Sequence, residues 1–141
     1  MNKDIRPFHL AFPVNNIKQT IEWYTENLSC TIGRQDEKWV DFNFFGHQIS
    51  AHKTDQDNSL IQTNSVDGHN IPIKHFGIIL EYNQWKQLEE KLKSKNVEFI
   101  IKPYTRFKDK KGQQSTMFIK DPSNNVIEFK AFKDDRMIFE N

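Results

Sequence analysis

Cysteine is almost absent from this sequence of 141 residues, since Cys30 is the only one. A single cysteine excludes an intrachain disulfide and leaves no cysteine pair for a structural zinc site. This composition favours a reducing, cytoplasmic environment. Long apolar runs are missing too, both over residues 1–6 and further along the chain. We therefore expect neither a secretion signal nor a membrane-spanning helix.

Neither sign of charge dominates, because 20 Lys and Arg residues are balanced by 19 Asp and Glu residues. Such a balance gives no support for binding to nucleic acid or to a membrane surface. Hydrophobic residues make up only 36% of the chain, although 12 Phe and 3 Trp residues can bury large areas. A polar chain of this length gains stability by association, so we expect a homodimer.

The sequence contains an internal repeat with a period of 66 residues, the distance from His9 to His75. Each histidine begins a short apolar stretch, and a tryptophan-containing helical pattern follows each stretch. Each half then predicts the order strand, helix, strand, strand, strand. The predicted strands cover 6–14, 29–34, 38–45 and 47–53 and then 73–81, 97–102, 114–120 and 126–132, with helices at 16–28 and 83–95. We expect Pro103 to end the strand before it.

These elements predict one α+β domain over residues 1–141, built from two tandem βαβββ modules. Module one covers about 6–53 and module two about 73–132, with a polar linker at 54–72 and a charged tail at 133–141. The linker has few apolar residues and is interpreted as a connecting segment or a mobile flap. Because one helix covers the apolar face of each sheet, we expect the polar faces of the two curved mixed sheets to enclose a cavity.

Strand alternation directs three chemically active side chains toward that cavity. His9 lies on the face opposite Leu10, and Glu128 lies on the face opposite Ile127 and Phe129. His75 occupies the repeat position of His9. A carboxylate between two apolar neighbours needs a compensating charge, which a divalent metal ion supplies. Two histidines and one carboxylate form the facial arrangement of non-haem Fe(II) sites, although Mn, Ni or Zn also suit these ligands.

Other residues are weaker candidates, because a single histidine in a strand is more often a hydrogen-bonded structural residue than a ligand. His52 shares a face with Gln48 and Ser50 and could transfer protons near neutral pH, although a surface role is equally compatible with its position. Tyr104 and Arg106 could contact an anionic oxygen of a substrate or could lie on an exposed loop.

Several motifs resemble the vicinal oxygen chelate superfamily, which includes glyoxalase I, fosfomycin and bleomycin resistance proteins and extradiol dioxygenases. The motifs are His9-Leu10-Ala11-Phe12-Pro13-Val14, Glu22-Trp23-Tyr24, His75-Phe76-Gly77 and Asp121-Pro122-Ser123-Asn124-Asn125-Val126-Ile127-Glu128-Phe129. The last of these is the most specific, and the resemblance covers about residues 6–132. Residues 39–48 and 128–132 are similar, more narrowly, to bacterial proteins described as extradiol-dioxygenase-like.

The resemblance implies paired βαβββ modules around a metal ion, with His9, His75 and Glu128 at the ligand positions. It implies an enzyme acting on a small molecule with two adjacent oxygens, of the extradiol dioxygenase type, with His52 as its catalytic histidine. A glyoxalase-type lyase, a thiol-transferring resistance enzyme and a non-catalytic binding protein are the alternatives. Ser50 stands where glyoxalase I has a fourth ligand, and residues 114–119 lack the tyrosine of extradiol dioxygenases.

Overall fold

The computed structural model describes residues 5–141, which form two compact units. The first unit runs to Ser59 and includes the turn Asp121–Asn125. The second unit consists of Leu60–Lys120 and Val126–Asn141. Residues 1–4, and with them most of the segment in which no secretion signal is expected, lie outside the described residues. Within the described range, no helix has the length and apolar character needed to cross a membrane.

Each unit contains a four-stranded mixed sheet, and the two sheets have the same strand order. The elements in chain order are β1 (His9–Val14), α1 (Ile17–Leu28), β2 (Thr31–Gln35), β3 (Trp39–Phe44), β4 (His47–Lys53), β5 (Thr63–Val66), β6 (His69–Pro72), β7 (Phe76–Ile79), α2 (Tyr82–Ser94), β8 (Phe99–Arg106), β9 (Gln114–Lys120), β10 (Val126–Phe132) and a 3₁₀ helix (Asp135–Met137). The sheet orders are β1-β4-β3-β2 and β7-β10-β9-β8. The predicted α+β class and the duplicated strand-helix-strand-strand-strand order are confirmed.

The first helix covers the apolar face of the first sheet, as alternation predicts. Asn16 caps the helix by accepting a hydrogen bond from the backbone N–H of Gln19 through its side chain. The buried ring of Tyr24 packs on Phe12 and Phe42 of the sheet, with ring centroids 5.7 and 5.1 Å away. The polar residues of the same strands therefore lie on the opposite face, which we call the open face.

The second helix is held to its sheet by a buried tryptophan. Trp85 is 3% exposed, and its indole N–H donates to the backbone carbonyl of Phe129 over 2.8 Å. Ile127 and Phe129 are both fully buried, whereas Glu128 between them belongs to the other face of β10. The parity that the sequence predicts for this strand is confirmed.

The turn Asp121–Asn125 is organised by one buried carboxylate. Asp121 Oδ1 accepts from the backbone N–H groups of Ser123 and Asn125, and Oδ2 accepts from the Tyr24 hydroxyl and the Asn125 amide. Asn124 has a φ of 66°, a left-handed conformation that asparagine tolerates better than most residues. The first part of the most family-specific motif, Asp121–Asn125, thus has a structural role in the first unit.

Pro103 does not end its strand, so that prediction is wrong. The strand β8 continues from Phe99 through Pro103 to Arg106. Proline is compatible with this position because β8 is the edge strand of its sheet and its pairing with β9 is irregular between Ile101 and Tyr104. The irregularity lets the chain pass the missing N–H group without losing the strand.

The segment interpreted as a polar linker or mobile flap contains a β-hairpin. Strands β5 and β6 pair over four positions around the turn Asp67-Gly68. Both turn residues have positive φ values, 52° and 76°, as a two-residue hairpin turn requires. The predicted strand at 73–81 is correspondingly shorter, since β7 covers only Phe76–Ile79.

Candidate functional site

His75 and Glu128 form a close pair in the second unit. His75 precedes β7, Glu128 lies in the adjacent parallel strand β10, and Nε2 of the histidine is 3.1 Å from Oε1 of the carboxylate. The Nδ1 atom of His75 is 2.7 Å from the backbone carbonyl oxygen of Pro72. A carbonyl oxygen can only accept, so Nδ1 carries the proton and Nε2 is the ring nitrogen directed at Glu128.

The hydrogen bond between His75 and Glu128 shifts the pKa of both groups. The hydrogen bond to Glu128 raises the pKa of His75 against the opposing effect of burial. Burial alone would raise the pKa of Glu128, but hydrogen bonds from His75 and Thr116 lower it. Glu128 is therefore ionised at neutral pH and only 13% exposed, and the His75 ring is its closest ion-pair partner.

Two further residues support Glu128, and the sequence reasoning did not identify them. The Thr116 hydroxyl donates to Oε2 of Glu128 over 2.6 Å, and Lys130 Nζ lies 3.7 Å from the same oxygen. Thr116 pairs with Lys130 in the register of β9 and β10. Strand parity places both side chains on the Glu128 face, so this register could have revealed them.

Gly77 allows β7 to approach the backbone of Glu128. These two residues are partners in the parallel register of β7 and β10. A Cβ atom at position 77 would lie 1.6 Å from the carbonyl oxygen of Glu128, a distance that real Cβ atoms do not reach. The glycine of the His75-Phe76-Gly77 motif is therefore required by the close contact beside the site.

The candidate residues of the first unit share the open face of its sheet. The backbone register aligns His9 with Gln48, and Gln48 with Asn43. In the next rows Ser50 pairs with Asp41, and His52 pairs with Trp39. His9 and His52 are exposed at the two ends of this face, whereas Ser50 is 4% exposed and its hydroxyl donates to Asp41.

His9 shares one feature with His75, an Nδ1 atom that is fixed on an acceptor oxygen. Its Nδ1 atom is 2.8 Å from the amide oxygen Oε1 of Gln48, which can only accept a hydrogen bond. Nδ1 therefore carries the proton in His9 as well, and Nε2 is left with a lone pair in the neutral ring. Fixing Nδ1 on an oxygen is how proteins orient histidines that bind a metal through Nε2.

Tyr104 and Arg106 both contact the same carboxylate oxygen, which belongs to the hairpin turn. The Tyr104 hydroxyl donates to Oδ2 of Asp67 over 3.2 Å, and Nε of Arg106 donates to it over 2.5 Å. The ring of His69 packs on Tyr104 at 4.6 Å between centroids. The hairpin therefore contacts the two residues that the sequence proposes as anion contacts.

Apolar contacts attach the hairpin, and the residues just before it, to the sheet of the second unit. Ile61 and Ile71 pack against a buried cluster formed by Ile101, Phe118 and Val126. Pro72, the last residue of the hairpin, supplies the carbonyl oxygen that orients His75. The position of the hairpin and the orientation of His75 are thus coupled in the second unit.

Two of the three expected metal ligands, His75 and Glu128, lie close together. Across residues 5–141, no three or more His, Cys, Asp or Glu side chains form a group that could hold a metal ion. His75 and Glu128 belong to the second unit, whereas His9 belongs to the first unit. The complete set of His9, His75 and Glu128 stays a prediction.

Comparison with solved structures shows the fold of the whole chain. A glyoxalase/bleomycin resistance protein/dioxygenase from Alicyclobacillus acidocaldarius is 28% identical, with 94% of this chain and 96% of that chain covered and a TM-score of 0.81. A fosfomycin resistance protein from Listeria monocytogenes is 15% identical, with coverages of 97% and 98% and a TM-score of 0.68. A virulence protein from Salmonella typhimurium is 19% identical, with coverages of 94% and 99% and a TM-score of 0.62.

The family assignment rests on the sequence as well as on these structures. No curated protein matches the chain. The sequence profile of the Glyoxalase/Bleomycin resistance protein/Dioxygenase superfamily matches residues 6–129, nearly the whole chain. The narrower likeness to extradiol-dioxygenase-like proteins stays a prediction. The resemblance found in the motifs is confirmed, and this chain belongs to the Glyoxalase/Bleomycin resistance protein/Dioxygenase superfamily.

Proposed function

We propose that this protein is a metal-dependent enzyme acting on a small molecule that carries two adjacent oxygen atoms. The observation that carries the proposal is the shared orientation of His9 and His75 through their Nδ1 atoms. Each histidine has Nδ1 fixed on an oxygen, so that Nε2 is the nitrogen left for a ligand bond. Proteins of this superfamily typically bind divalent metal ions.

The residues of the second unit fit a divalent ion. Glu128 is ionised and poorly exposed, and Nε2 of His75 lies 3.1 Å from its Oε1, so that one cation could bind both groups. Thr116 and the Pro72 carbonyl already occupy the outer positions that orient the carboxylate and the imidazole. We propose His9, His75 and Glu128 as the ligands, with Fe(II) as the resident metal and Mn, Ni or Zn as alternatives.

When bound, the metal would hold the two adjacent oxygens of the substrate and stabilise the negative charge on them. The protein supplies the remaining functions. His52 is exposed on the open face and can accept or donate a proton near neutral pH. Gln48 and Ser50 form the wall beside His9 and His52, where Ser50 is already held by Asp41.

We further propose that Tyr104 and Arg106 bind an anionic oxygen of the substrate. Both side chains donate to one carboxylate oxygen of Asp67, so their donor groups converge on a point that an oxyanion can occupy. A substrate oxyanion would replace Asp67 there. This replacement would release the hairpin turn from the strand β8.

Within this class we propose an extradiol-type dioxygenase, which cleaves a catechol ring and places both atoms of O₂ in the product. The test is oxygen uptake by protein that is purified anaerobically, loaded with Fe(II) and supplied with a panel of catechols. We expect one O₂ consumed per catechol, and a loss of about 10²-fold or more in rate for His52→Ala. The control is Lys18→Ala, which truncates an exposed side chain of helix α1 that has no assigned role.

Metal-loaded protein that consumes no O₂ with any catechol would refute the dioxygenase proposal but not the metal centre. Parallel assays with methylglyoxal and glutathione, and with fosfomycin and a thiol, then test the lyase and resistance alternatives. A protein that binds no divalent ion under any of these conditions would refute the whole proposal.

A further inference from the structure

The first unit contains a cleft on the open face of its sheet that the metal ligands alone do not explain. Its volume is about 520 Å³, within the range of small-molecule sites. It is lined by β2, β3 and β4, by the start of β1 and by the segment that precedes β1. The charged or titratable lining residues are Arg6, His9, Arg34, Asp41 and His47.

The net charge of this cleft is positive. Asp41 is its one carboxylate, and that group accepts a hydrogen bond from Ser50 over 2.5 Å. Nδ1 of His47 accepts from the backbone N–H of Phe8 and so carries no proton. Within residues 5–141, neither Arg6 nor Arg34 forms an ion pair with a carboxylate. The two guanidinium groups therefore have their charge available to a ligand.

A β-bulge directs Arg34 toward the cleft. Ile32 pairs with Phe42 and Gln35 pairs with Val40, so Gly33 and Arg34 together stand opposite the single residue between these partners. In a regular strand Arg34 would have the same parity as Ile32, whose partner Phe42 faces the helix. The extra residue changes this parity and keeps the guanidinium away from the core.

An aromatic ring restricts the position of the arginine. The Arg34 guanidinium carbon lies 5.8 Å from the centroid of the Trp39 ring, within the range of a cation–π contact. Such a contact leaves the N–H donors of the guanidinium directed sideways, where they can bind an oxyanion in a bidentate manner. Arg34 is thus a partly ordered, exposed cation beside a cavity.

One neutral donor of the cleft is also available. The amide oxygen of Gln48 accepts from His9, so the amide nitrogen of Gln48 is the end that can donate to a ligand. Asn43, in the same sheet row, uses its side-chain oxygen to accept from the backbone N–H of Gly46. Because the Asn43 oxygen is engaged in that bond, the Asn43 amide nitrogen is the end that can donate to a ligand.

We propose that this cleft binds the oxyanion group of a small organic molecule, a carboxylate or a phosphonate, with Arg34 as the main contact and Arg6 and Gln48 as the supporting ones. The identification of this oxyanion as part of the substrate rests on the proposed function. The binding of an anion in the cleft does not depend on it. The proposal predicts that the substrate is an anionic compound rather than a neutral one.

The test uses the full chain freed of metal with a chelator, so that the outcome does not depend on the metal centre. Binding of benzoate, phenylphosphonate and neutral benzamide is measured by calorimetry and by amide chemical shifts. We expect one or both anions to bind and to shift the amides of Gly33 and Arg34, with benzamide at least about tenfold weaker. The two anions distinguish a carboxylate site from a phosphonate site.

Arg34→Gln should weaken anion binding by about tenfold or more, because it removes the charge and the bidentate donors. The matched control is Arg136→Gln, which removes an exposed arginine of the second unit that is paired with Asp134. Equal affinity for benzoate and benzamide, unchanged affinity in Arg34→Gln, or no binding of either anion would overturn the proposal. Metal loading and turnover, measured separately, report on the proposed function.

Discussion

Replacing Gly77 by alanine should separate two strands beside the candidate metal ligands. The new Cβ would lie 1.6 Å from the carbonyl oxygen of Glu128, where an ordinary contact needs 3.4 Å or more. One strand must therefore move by nearly 2 Å, which is more than a hydrogen bond tolerates. If two or three bonds of the β7–β10 ladder break at about 1 kcal/mol each, the free energy of unfolding falls by about 2–3 kcal/mol.

The assay is chemical denaturation followed by circular dichroism, with Gly33→Ala as the matched control. A Cβ at position 33 would lie 3.5 Å from its nearest neighbours in Asp41, an ordinary contact. We expect the control to change stability by less than about 0.5 kcal/mol. A Gly77→Ala variant as stable as its control would refute the close approach of β7 and β10, and with it the geometry described for His75 and Glu128.

Three further predictions concern stability and local opening. Tyr24→Phe removes a buried hydroxyl that donates to Asp121 over 2.8 Å, and should lower the free energy of unfolding by about 2 kcal/mol. The pKa of Glu89 is lowered from 4.5 because its lysine hydrogen bonds outweigh its burial, so the carboxylate stabilises the fold above pH 4.5 and loses this effect as pH falls through its folded pKa. Since both lysine partners are about half exposed, Glu89→Gln should reduce that acid dependence by less than about 1 kcal/mol. Asp67→Asn keeps a residue that tolerates the turn but weakens the contact with Arg106, and should speed amide exchange in the β5–β6 hairpin without lowering global stability.

Each of these variants has a control of the same chemistry. Tyr82→Phe removes the hydroxyl of a tyrosine that is 45% exposed, and it should be close to neutral. Glu90→Gln changes an exposed neighbour of Glu89 on the same helix. Asp57→Asn changes an exposed aspartate of the first unit and should leave exchange in the hairpin unaltered. Equal effects in variant and control would contradict the corresponding contact.

The regular part of the fold follows from local signals in the sequence. The strands His47–Lys53, Gln114–Lys120 and Val126–Phe132 have the bounds that alternation predicts, because turn residues flank each of them. The helix bounds are within one residue of the predicted ones, since Asn16 supplies a clear capping signal at the first helix. Alternation also gives the correct face for Glu128.

The errors come from context that a local pattern does not contain. Pro103 lies in an edge strand, and only the sheet order reveals that its missing N–H group has no partner to lose. The β5–β6 hairpin has mostly polar residues, but the dipeptide Asp67-Gly68 is a turn signal that could have identified it. The contacts of Asp67 with Tyr104 and Arg106 span 37 and 39 residues, beyond any periodicity.

For the site, sequence parity could nominate single residues but not their hydrogen bonds. The position of His75 and Glu128 follows from the repeat and from alternation, whereas their separation of 3.1 Å depends on the parallel pairing of β7 and β10. Thr116 supports Glu128 from a neighbouring strand, which requires the register of β9 and β10. The Pro72 carbonyl depends on the hairpin that local composition concealed.

The central claim is that His75 and Glu128 belong to a metal centre, and metal content tests it most directly. Protein purified anaerobically, loaded with Fe(II) and freed of excess ion is analysed for bound metal, alongside His75→Ala, Glu128→Gln and the exposed control Glu98→Gln. We predict a single ion per chain in the wild type and the control, and loss of the ion in both site variants. Full occupancy in His75→Ala, or no bound ion in the wild type, would contradict the claim.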